Sequence, residues 1–220
     1  MATAAFVLIA YLIGSISFAV LVSRAFGLPD PHTYGSRNPG ATNVLRTGKK
    51  VAALLTLLGD GGKGWLAVFL ALRFSADYGV EPAGVAACAI AVFVGHLFPV
   101  FHRFLGGKGV ATALGILLAI EPWLGLATLA TWIVIAAFFR YSSLAALVAA
   151  VFAPFYTWFL SFLLPERQQR LIVMLPAVIL MSALLVWRHK ANILNLVAGK
   201  ERRLGDKTRE EAGAQEPGKT

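Results

Sequence analysis

The sequence predicts an all-α integral membrane protein with seven transmembrane helices, some of them short or broken. Of its 220 residues, 58% are hydrophobic and only 14% are charged, and the mean hydropathy is +0.71. Soluble domains usually carry about 25% charged residues, so this chain has more apolar surface than a soluble core can bury. Several uncharged stretches are also long enough to cross hydrocarbon as a helix, which takes roughly 17–25 residues. These observations exclude a soluble globular fold.

Seven apolar segments, taken in order, form the predicted helices. The first begins without Lys or Arg before Arg24, so it lacks the positive start of a cleaved signal peptide and is expected to be retained. The second contains Asp60 and Lys63, and the fourth is short, so a five-helix arrangement with re-entrant pieces is the alternative. The predicted bounds are 4–26, 51–72, 81–101, 109–121, 123–139, 142–164 and 171–189.

The charges between these segments predict the orientation. Polar clusters follow the first, third, fifth and seventh helices, which places them on one side. Before residue 199 that side holds ten Lys or Arg, and the opposite side holds three. By the positive-inside rule the rich side is cytoplasmic, with the N-terminus outside and the C-terminus inside. The net charge of +9 therefore indicates membrane topology rather than a nucleic-acid partner.

The chain is predicted to form a single transmembrane domain over residues 1–198, followed by a polar tail. Residues 199–220 carry six cations and five anions without an apolar period. Such a composition is typical of a disordered segment, here on the cytoplasmic side.

The first polar loop, residues 35–46, has the composition of an anion-binding loop. Hydroxyl groups, backbone N–H groups near glycine and fixed cations all bind phosphate oxygens well. A simple turn into the next helix accounts for the glycines and the proline, but not for the polar side chains. The candidate residues are Ser36, Asn38, Gly40, Thr42, Asn43 and Arg46.

A second candidate phosphate loop is Gly106-Gly107-Lys108-Gly109, at the start of the fourth helix. Glycines bare the backbone N–H groups, the helix N-terminus adds positive dipole and Lys108 adds charge. Thr112, four residues after Lys108, is expected on the same helix face. The loop is not a Walker motif, because Gly follows Lys108 where Ser or Thr is required. The alternative is a basic loop that serves topology alone.

Three weaker features remain. Gly59, Gly61 and Gly64 match a dinucleotide fingerprint, but no strand precedes them, so that interpretation is rejected. Asp60 and Lys63 within the same segment are either functional or a structural pair. His189 and Asn192 share a helix face, and Ser143 lies in a short polar patch, although each could be structural. The four histidines show no zinc-ligand spacing, so no metal is expected.

These clusters, in this order, resemble the bacterial acyl-phosphate:glycerol-3-phosphate acyltransferase family. The resemblance rests on GSRNPGATNVLR (35–46), LGDGGKG (58–64), GHLFPVFHRFLGGKGVAT (95–112) and RHKANI (188–193). It implies a seven-helix protein of the bacterial inner membrane whose motif loops face the cytoplasm. It also implies transfer of a fatty acyl group from acyl phosphate to the 1-hydroxyl of glycerol 3-phosphate. The products are then lysophosphatidic acid and inorganic phosphate, in the first acylation of phospholipid synthesis, without cofactor or metal.

The resemblance and the residue patterns together give the predicted site. The catalytic candidates are Ser36, Arg46, Lys108, His189 and Asn192. The substrate-binding candidates are Asn38, Gly40, Thr42, Asn43, Gly106, Gly107, Gly109, Thr112 and Ser143.

Two mechanisms and one rival function are open at this point. In the preferred mechanism the phosphate of the acyl donor accepts the hydroxyl proton, with Ser36 and Asn192 as hydrogen-bond donors. In the competing mechanism Ser36 is a covalent nucleophile activated by His189. The rival function is transport of a phosphorylated metabolite, because an intramembrane Lys63 and broken helices also fit a transport path.

Overall fold

The computed structural model describes residues 1–205, and every regular element in this part of the chain is helical. Six helical segments of 18 to 25 residues are long and apolar enough to cross a membrane, and one further apolar helix has 11 residues. These features confirm the predicted all-α membrane class. The helices are α1 (Ala2–Gly14), α2 (Phe18–Ala25), α3 (Ala41–Leu45), α4 (Lys50–Phe74), α5 (Pro82–Leu97), α6 (Val110–Ile120), α7 (Pro122–Phe139), α8 (Ser142–Leu163), α9 (Gln168–Arg188) and α10 (Lys190–Val197).

A helix lies in each of the seven predicted segments. The ambiguous second segment is the single continuous helix α4 of 25 residues rather than a re-entrant piece. The glycines of the rejected dinucleotide fingerprint therefore lie inside this helix, with no strand before them. The ambiguous fourth segment is the short helix α6. The direction in which the bundle crosses the bilayer stays a prediction.

The first segment was predicted as one helix, and this detail is wrong because the chain breaks at residues 15–17. Ser17 takes an extended conformation, with φ −93° and ψ 102°, and its hydroxyl accepts a hydrogen bond from Val20 N at 3.5 Å. Ser15 donates its hydroxyl to Tyr11 O at 2.9 Å. Two serines in an apolar stretch thus end one helix and start the next, because their side chains compete for backbone groups.

The centre of the bundle is α4, which packs against α1, α2, α3, α5 and α6. Glycines allow α4 and α6 to approach closely: a Cβ on Gly64 would collide with the carbonyl of Thr112, and one on Gly115 with the carbonyl of Gly61. Small residues at helix contacts are typical of membrane proteins, where close backbone packing replaces the hydrophobic driving force. The position of α6 against α4 is therefore fixed by backbone contact.

The polar clusters gather at one end of the bundle, as predicted. Thr42 and Ser142 bring α3 to the start of α8, with their hydroxyl oxygens 3.3 Å apart. The chain after α10 returns to the same end, where Leu204 N donates to Arg140 O at 2.6 Å. Residues 199–205 thus differ from the expected tail, because they pack on the bundle. The rest of the predicted tail, 206–220, lies outside the described residues.

Candidate active site

The first polar loop is organised around one buried amide. Asn43 is 2% exposed, and its Nδ2 donates to Pro31 O at 2.9 Å and to Tyr34 O at 3.2 Å. Its Oδ1 accepts from Ser36 N at 3.0 Å. Both amide donors and the oxygen are used on backbone groups at the start of the loop and just before it. Asn43, which the sequence suggested as a substrate contact, is therefore a brace that shapes the loop.

This brace leaves the polar groups of the loop turned outward. Ser36 is exposed and lies between Gly35 (φ 58°) and Arg37 (φ 55°), two residues in the left-handed region. Within residues 1–205 the hydroxyl of Ser36 has no hydrogen-bond partner. The amide nitrogen of Asn38 lies beside Gly40, the residue directly before α3. The turn thus leaves the hydroxyl of Ser36 and the side-chain amide of Asn38 available to a ligand.

The second loop is held from behind by Arg188 at the end of α9. The guanidinium of Arg188 donates to Gly106 O at 2.7 Å and to Gly107 O at 3.2 Å. Gly107 N donates to His96 O at 3.1 Å. A Cβ on Gly107 would meet Pro39 O at 3.0 Å, so the two polar loops touch through this glycine. Arg188 was not among the predicted site residues.

The remaining N–H groups of the second loop are unused. In the described part of the chain, no protein acceptor receives the backbone N–H of Gly106, Lys108 or Gly109. Gly109 has φ 85° and directly precedes α6, a conformation that favours glycine. Free N–H groups at the start of a helix are suited to an anion.

A chain of hydrogen bonds ties this loop to the C-terminal elements. Lys108 Nζ donates to Asn192 Oδ1 at 2.5 Å, and Asn192 Nδ2 donates to Glu201 Oε1 at 2.7 Å. Ser143 donates to the same Glu201 oxygen at 2.6 Å. Lys108, Asn192 and Ser143 are therefore brought together as predicted, by a carboxylate that the sequence analysis had assigned to the tail.

The site carries an excess of positive charge. In residues 1–205 no carboxylate oxygen lies within 4 Å of Arg46, Lys108 or Arg188. Burial lowers the pKa of Lys108; Glu201 opposes this shift, while Arg46 and Arg188 add to it. Burial also lowers the pKa of Arg46, and Arg202 adds to that shift. Half-buried cations close to one another favour an anionic ligand, because an anion offsets both the cost of burying each charge and the repulsion between the cations.

His189 is neutral and oriented by its own helix. Its Nδ1 lies 2.8 Å from Leu185 O, and because a carbonyl only accepts, the proton is on Nδ1. Burial lowers the pKa of His189 to about 4, so the ring is uncharged at neutral pH. No hydrogen bond in the described residues joins His189 to Ser36. The covalent mechanism lacks the contact that would activate its nucleophile.

Thr112 is a correction to the predicted site. Its side chain is fully buried and its hydroxyl donates to Asp60 O at 3.0 Å, away from the polar loops. The prediction assumed that Lys108 and Thr112 lie on one helix face. However, α6 begins at Val110 after the left-handed Gly109, so Lys108 precedes the helix and helical spacing does not apply.

Glu201 and Arg188 are the two residues that sequence reasoning missed. Glu201 lies in a stretch of mixed charge whose pattern resembles a solvated tail, and only Gly199 (φ 66°) marks the turn that directs the chain back. Arg188 counted as a topology cation. Its two bonds to glycine carbonyls depend on contacts between segments 81 and 82 residues apart, which local patterns do not contain.

Comparisons with known proteins identify the family of the chain. The family model of glycerol-3-phosphate acyltransferase matches residues 4–199. The glycerol-3-phosphate acyltransferase of Ralstonia nicotianae is 65% identical over 206 residues, covering 94% of this chain and 96% of the relative. That of a Janthinobacterium species is 66% identical over 207 residues, covering 94% and 99%.

Two crystal structures have the same fold. Both are of PlsY (YgiH), an integral membrane glycerol 3-phosphate acyltransferase, and both are 33% identical to this chain. The glycerol 3-phosphate form has a TM-score of 0.82 and covers 98% of this chain and 100% of its own. The lysophosphatidic acid form has a TM-score of 0.81 and covers 93% and 96%.

Proposed function

The chain belongs to the glycerol-3-phosphate acyltransferase family, and from this premise we propose that it takes its acyl group from an acyl phosphate. It is a membrane acyltransferase that acylates glycerol 3-phosphate. This family membership replaces the transporter alternative. The acyl group goes to the 1-hydroxyl, and the products are lysophosphatidic acid and inorganic phosphate.

The observation that carries the proposal is the meeting of two anion-binding loops at one end of a membrane bundle. One loop offers Ser36, Asn38 and Arg46, and the other offers unused N–H groups and Lys108. An acyl phosphate and glycerol 3-phosphate each carry one phosphate, so two adjacent phosphate sites suit this pair. The acyl chain can stay in hydrocarbon beside the bundle.

The proposed reaction needs alignment more than activation. The 1-hydroxyl oxygen attacks the acyl carbonyl carbon, and the bond from that carbon to the phosphate oxygen breaks. The leaving phosphate takes the electron pair and accepts the hydroxyl proton, so no protein base is required. The role of the protein is to orient the two substrates and to stabilise charge on the oxyanion and on the phosphate.

The contacts of the site residues support particular roles in this scheme. Ser36 has a hydroxyl without a partner among residues 1–205, and this hydroxyl can donate to an oxyanion. Asn192 uses one N–H on Glu201 and accepts from Lys108, so it orients the ammonium and keeps one N–H for substrate. His189 is uncharged, with its Nε2 as an acceptor, and can receive a substrate hydroxyl.

We also infer that the site lies at the cytoplasmic face of the bacterial inner membrane. The cation-rich loops and the site share one end of the bundle, and such loops stay inside by the positive-inside rule. Glycerol 3-phosphate is then supplied from the cytoplasm. The contact between α3 and α8 and the return of residues 199–205 support the gathering of these loops at one end of the bundle.

The experiment uses the purified protein in detergent with glycerol 3-phosphate and either acyl phosphate or acyl-CoA. We expect stoichiometric release of inorganic phosphate and lysophosphatidic acid from acyl phosphate alone. The Lys108→Ala variant, which keeps the bundle but removes the loop cation, should lose most of this turnover. Faster turnover with acyl-CoA than with acyl phosphate would overturn the proposed donor.

A further inference from the structure

Three ionisable side chains outside the active site meet inside the bundle. Asp60 Oδ1 lies 2.8 Å from Lys63 Nζ and 3.6 Å from His96 Nδ1. Asp60 is 2% exposed, Lys63 4% and His96 8%. A small cavity beside the cluster is lined by Lys63 and His96 together with Gly106 and Gly107 of the second loop. We refer to Asp60, Lys63 and His96 as the buried charge cluster.

Such a cluster is expensive in a membrane protein. Ionisable residues at membrane depth are rare and usually functional, and a buried ion pair adds little stability over apolar packing of the same volume. Both members of the pair lie in the middle of α4, one turn apart. The presence of this pair in α4 therefore points to a role other than stability.

One side of the buried charge cluster supports the break in the first helix. Lys63 Nζ donates to Ile16 O, a carbonyl that the break deprives of its helical partner. Ser15 at the same break accepts from Val100 N at 3.3 Å, in the segment that leads to the second loop. An ammonium can satisfy this carbonyl inside the bundle only with a counter-ion beside it, and Asp60 supplies that charge.

The other side of the cluster supports the second phosphate loop. His96 O accepts from Gly107 N at 3.1 Å. The imidazole of His96 lies directly under Gly107: a Cβ on this glycine would collide with Nε2. Arg188 donates to the carbonyls of Gly106 and Gly107. The loop is therefore fixed between Arg188 on one side and His96 on the other.

We propose that Asp60, Lys63 and His96 are positioning residues that set the phosphate-binding conformation of Gly106 and Gly107. The contacts run from Ile16 through the ion pair to His96 and end at Gly107. Asp60 Oδ1 lies beside the ring of His96, 3.6 Å from Nδ1, and Lys63 contacts both Asp60 and the carbonyl at the helix break. This inference rests on the proposed function in one respect, namely that the second loop binds a substrate phosphate.

The test replaces the ion pair as a unit, since a single change leaves one buried charge unpaired and can prevent folding. Asp60→Leu combined with Lys63→Met removes both charges at similar volume. If the pair is only structural, the folded double variant should keep both KM values, even where its thermal stability falls because Ile16 O loses the ammonium. If the pair positions the loop, the KM for one phosphorylated substrate should rise about fivefold or more, the effect of roughly one neutral hydrogen bond, while kcat changes less.

A second pair of variants keeps the test decisive if the double variant does not fold. His96→Leu removes the polar ring below Gly107, and His96→Gln restores a polar group near the position of Nε2. We expect a raised KM in the first and recovery toward the wild-type KM in the second. Thr157→Val is the matched control, because Thr157 is also fully buried but bonds only within its own helix.

The outcomes separate the two proposals. If the wild-type protein does not turn over acyl phosphate, the proposed function fails. If the wild type is active but the His96 variants keep both KM values, the positioning role alone is overturned. Equal changes of KM in His96→Leu, His96→Gln and Thr157→Val would likewise overturn it, because they would reflect general loosening of the bundle.

Discussion

Replacing Arg46 by lysine separates phosphate binding from loop charge. Arg46 directly follows α3 and is half-buried, with its guanidinium against Gly35 and no carboxylate within 4 Å among the described residues. A guanidinium can bind one phosphate through two parallel hydrogen bonds, whereas an ammonium acts as a point charge. The substitution keeps the positive charge and should leave topology unchanged, but it removes one hydrogen bond to a charged group.

That loss is worth roughly 1.5–3 kcal/mol, so kcat/KM should fall by about 10- to 150-fold. Partial exposure screens the interaction and favours the lower part of this range. The assay is steady-state release of inorganic phosphate with each substrate varied in turn. The matched control is Lys49→Arg, at an exposed position three residues on, which should be nearly silent. Small and equal effects of the two substitutions would refute the reasoning and make Arg46 a solvated loop cation.

Three further predictions follow from the site. Ser143→Ala loses the hydroxyl bond to the C-terminal carboxylate and should lower kcat/KM about tenfold, whereas Ser142→Ala should be nearly neutral in the same assay. Because burial lowers the pKa of His189 to about 4, the folded protein should be destabilised as the pH falls from about 6.5 toward 4, and the thermal midpoint of His189→Asn should depend less on pH over that window. In a cysteine-free background, an impermeant maleimide should label a cysteine at Thr42 only from the cytoplasmic side and one at Gln168 only from outside; the reverse pattern would contradict the predicted orientation.

Much of the fold could be predicted because the hydrophobic pattern of a membrane helix is strong and local. The weak segments were also placed correctly, since length and flanking residues mark α6 even though it is short. The break at residues 15–17 could not be predicted, because it depends on side-chain bonds of two serines and on an ammonium 47 residues away. Such contacts leave no period in the sequence.

The candidate site divides in the same way. The two glycine-rich loops were identifiable, because several phosphate-binding residue types occur together over a few positions. Asn43 and Thr112 show the limit of this reasoning, since composition does not say which polar side chains bond inside the protein. Glu201 shows the opposite case: one carboxylate outside any motif joins Asn192 and Ser143 through tertiary contact alone.

The shortness of α6 has a consequence for the depth of the site. At 1.5 Å per residue, the 11 residues of α6 rise about 17 Å and the 18 residues of α7 about 27 Å. The two helices are joined directly through Glu121, so they start from one level. Measured along the helix axes, α6 is therefore about 10 Å shorter than α7, which is a third of a hydrocarbon layer about 30 Å thick. For the proposed reaction, a short α6 brings the phosphate site closer to the lipid-borne acyl donor. Glycerol 3-phosphate then moves toward the acyl chain, and the acyl chain does not have to leave the hydrocarbon.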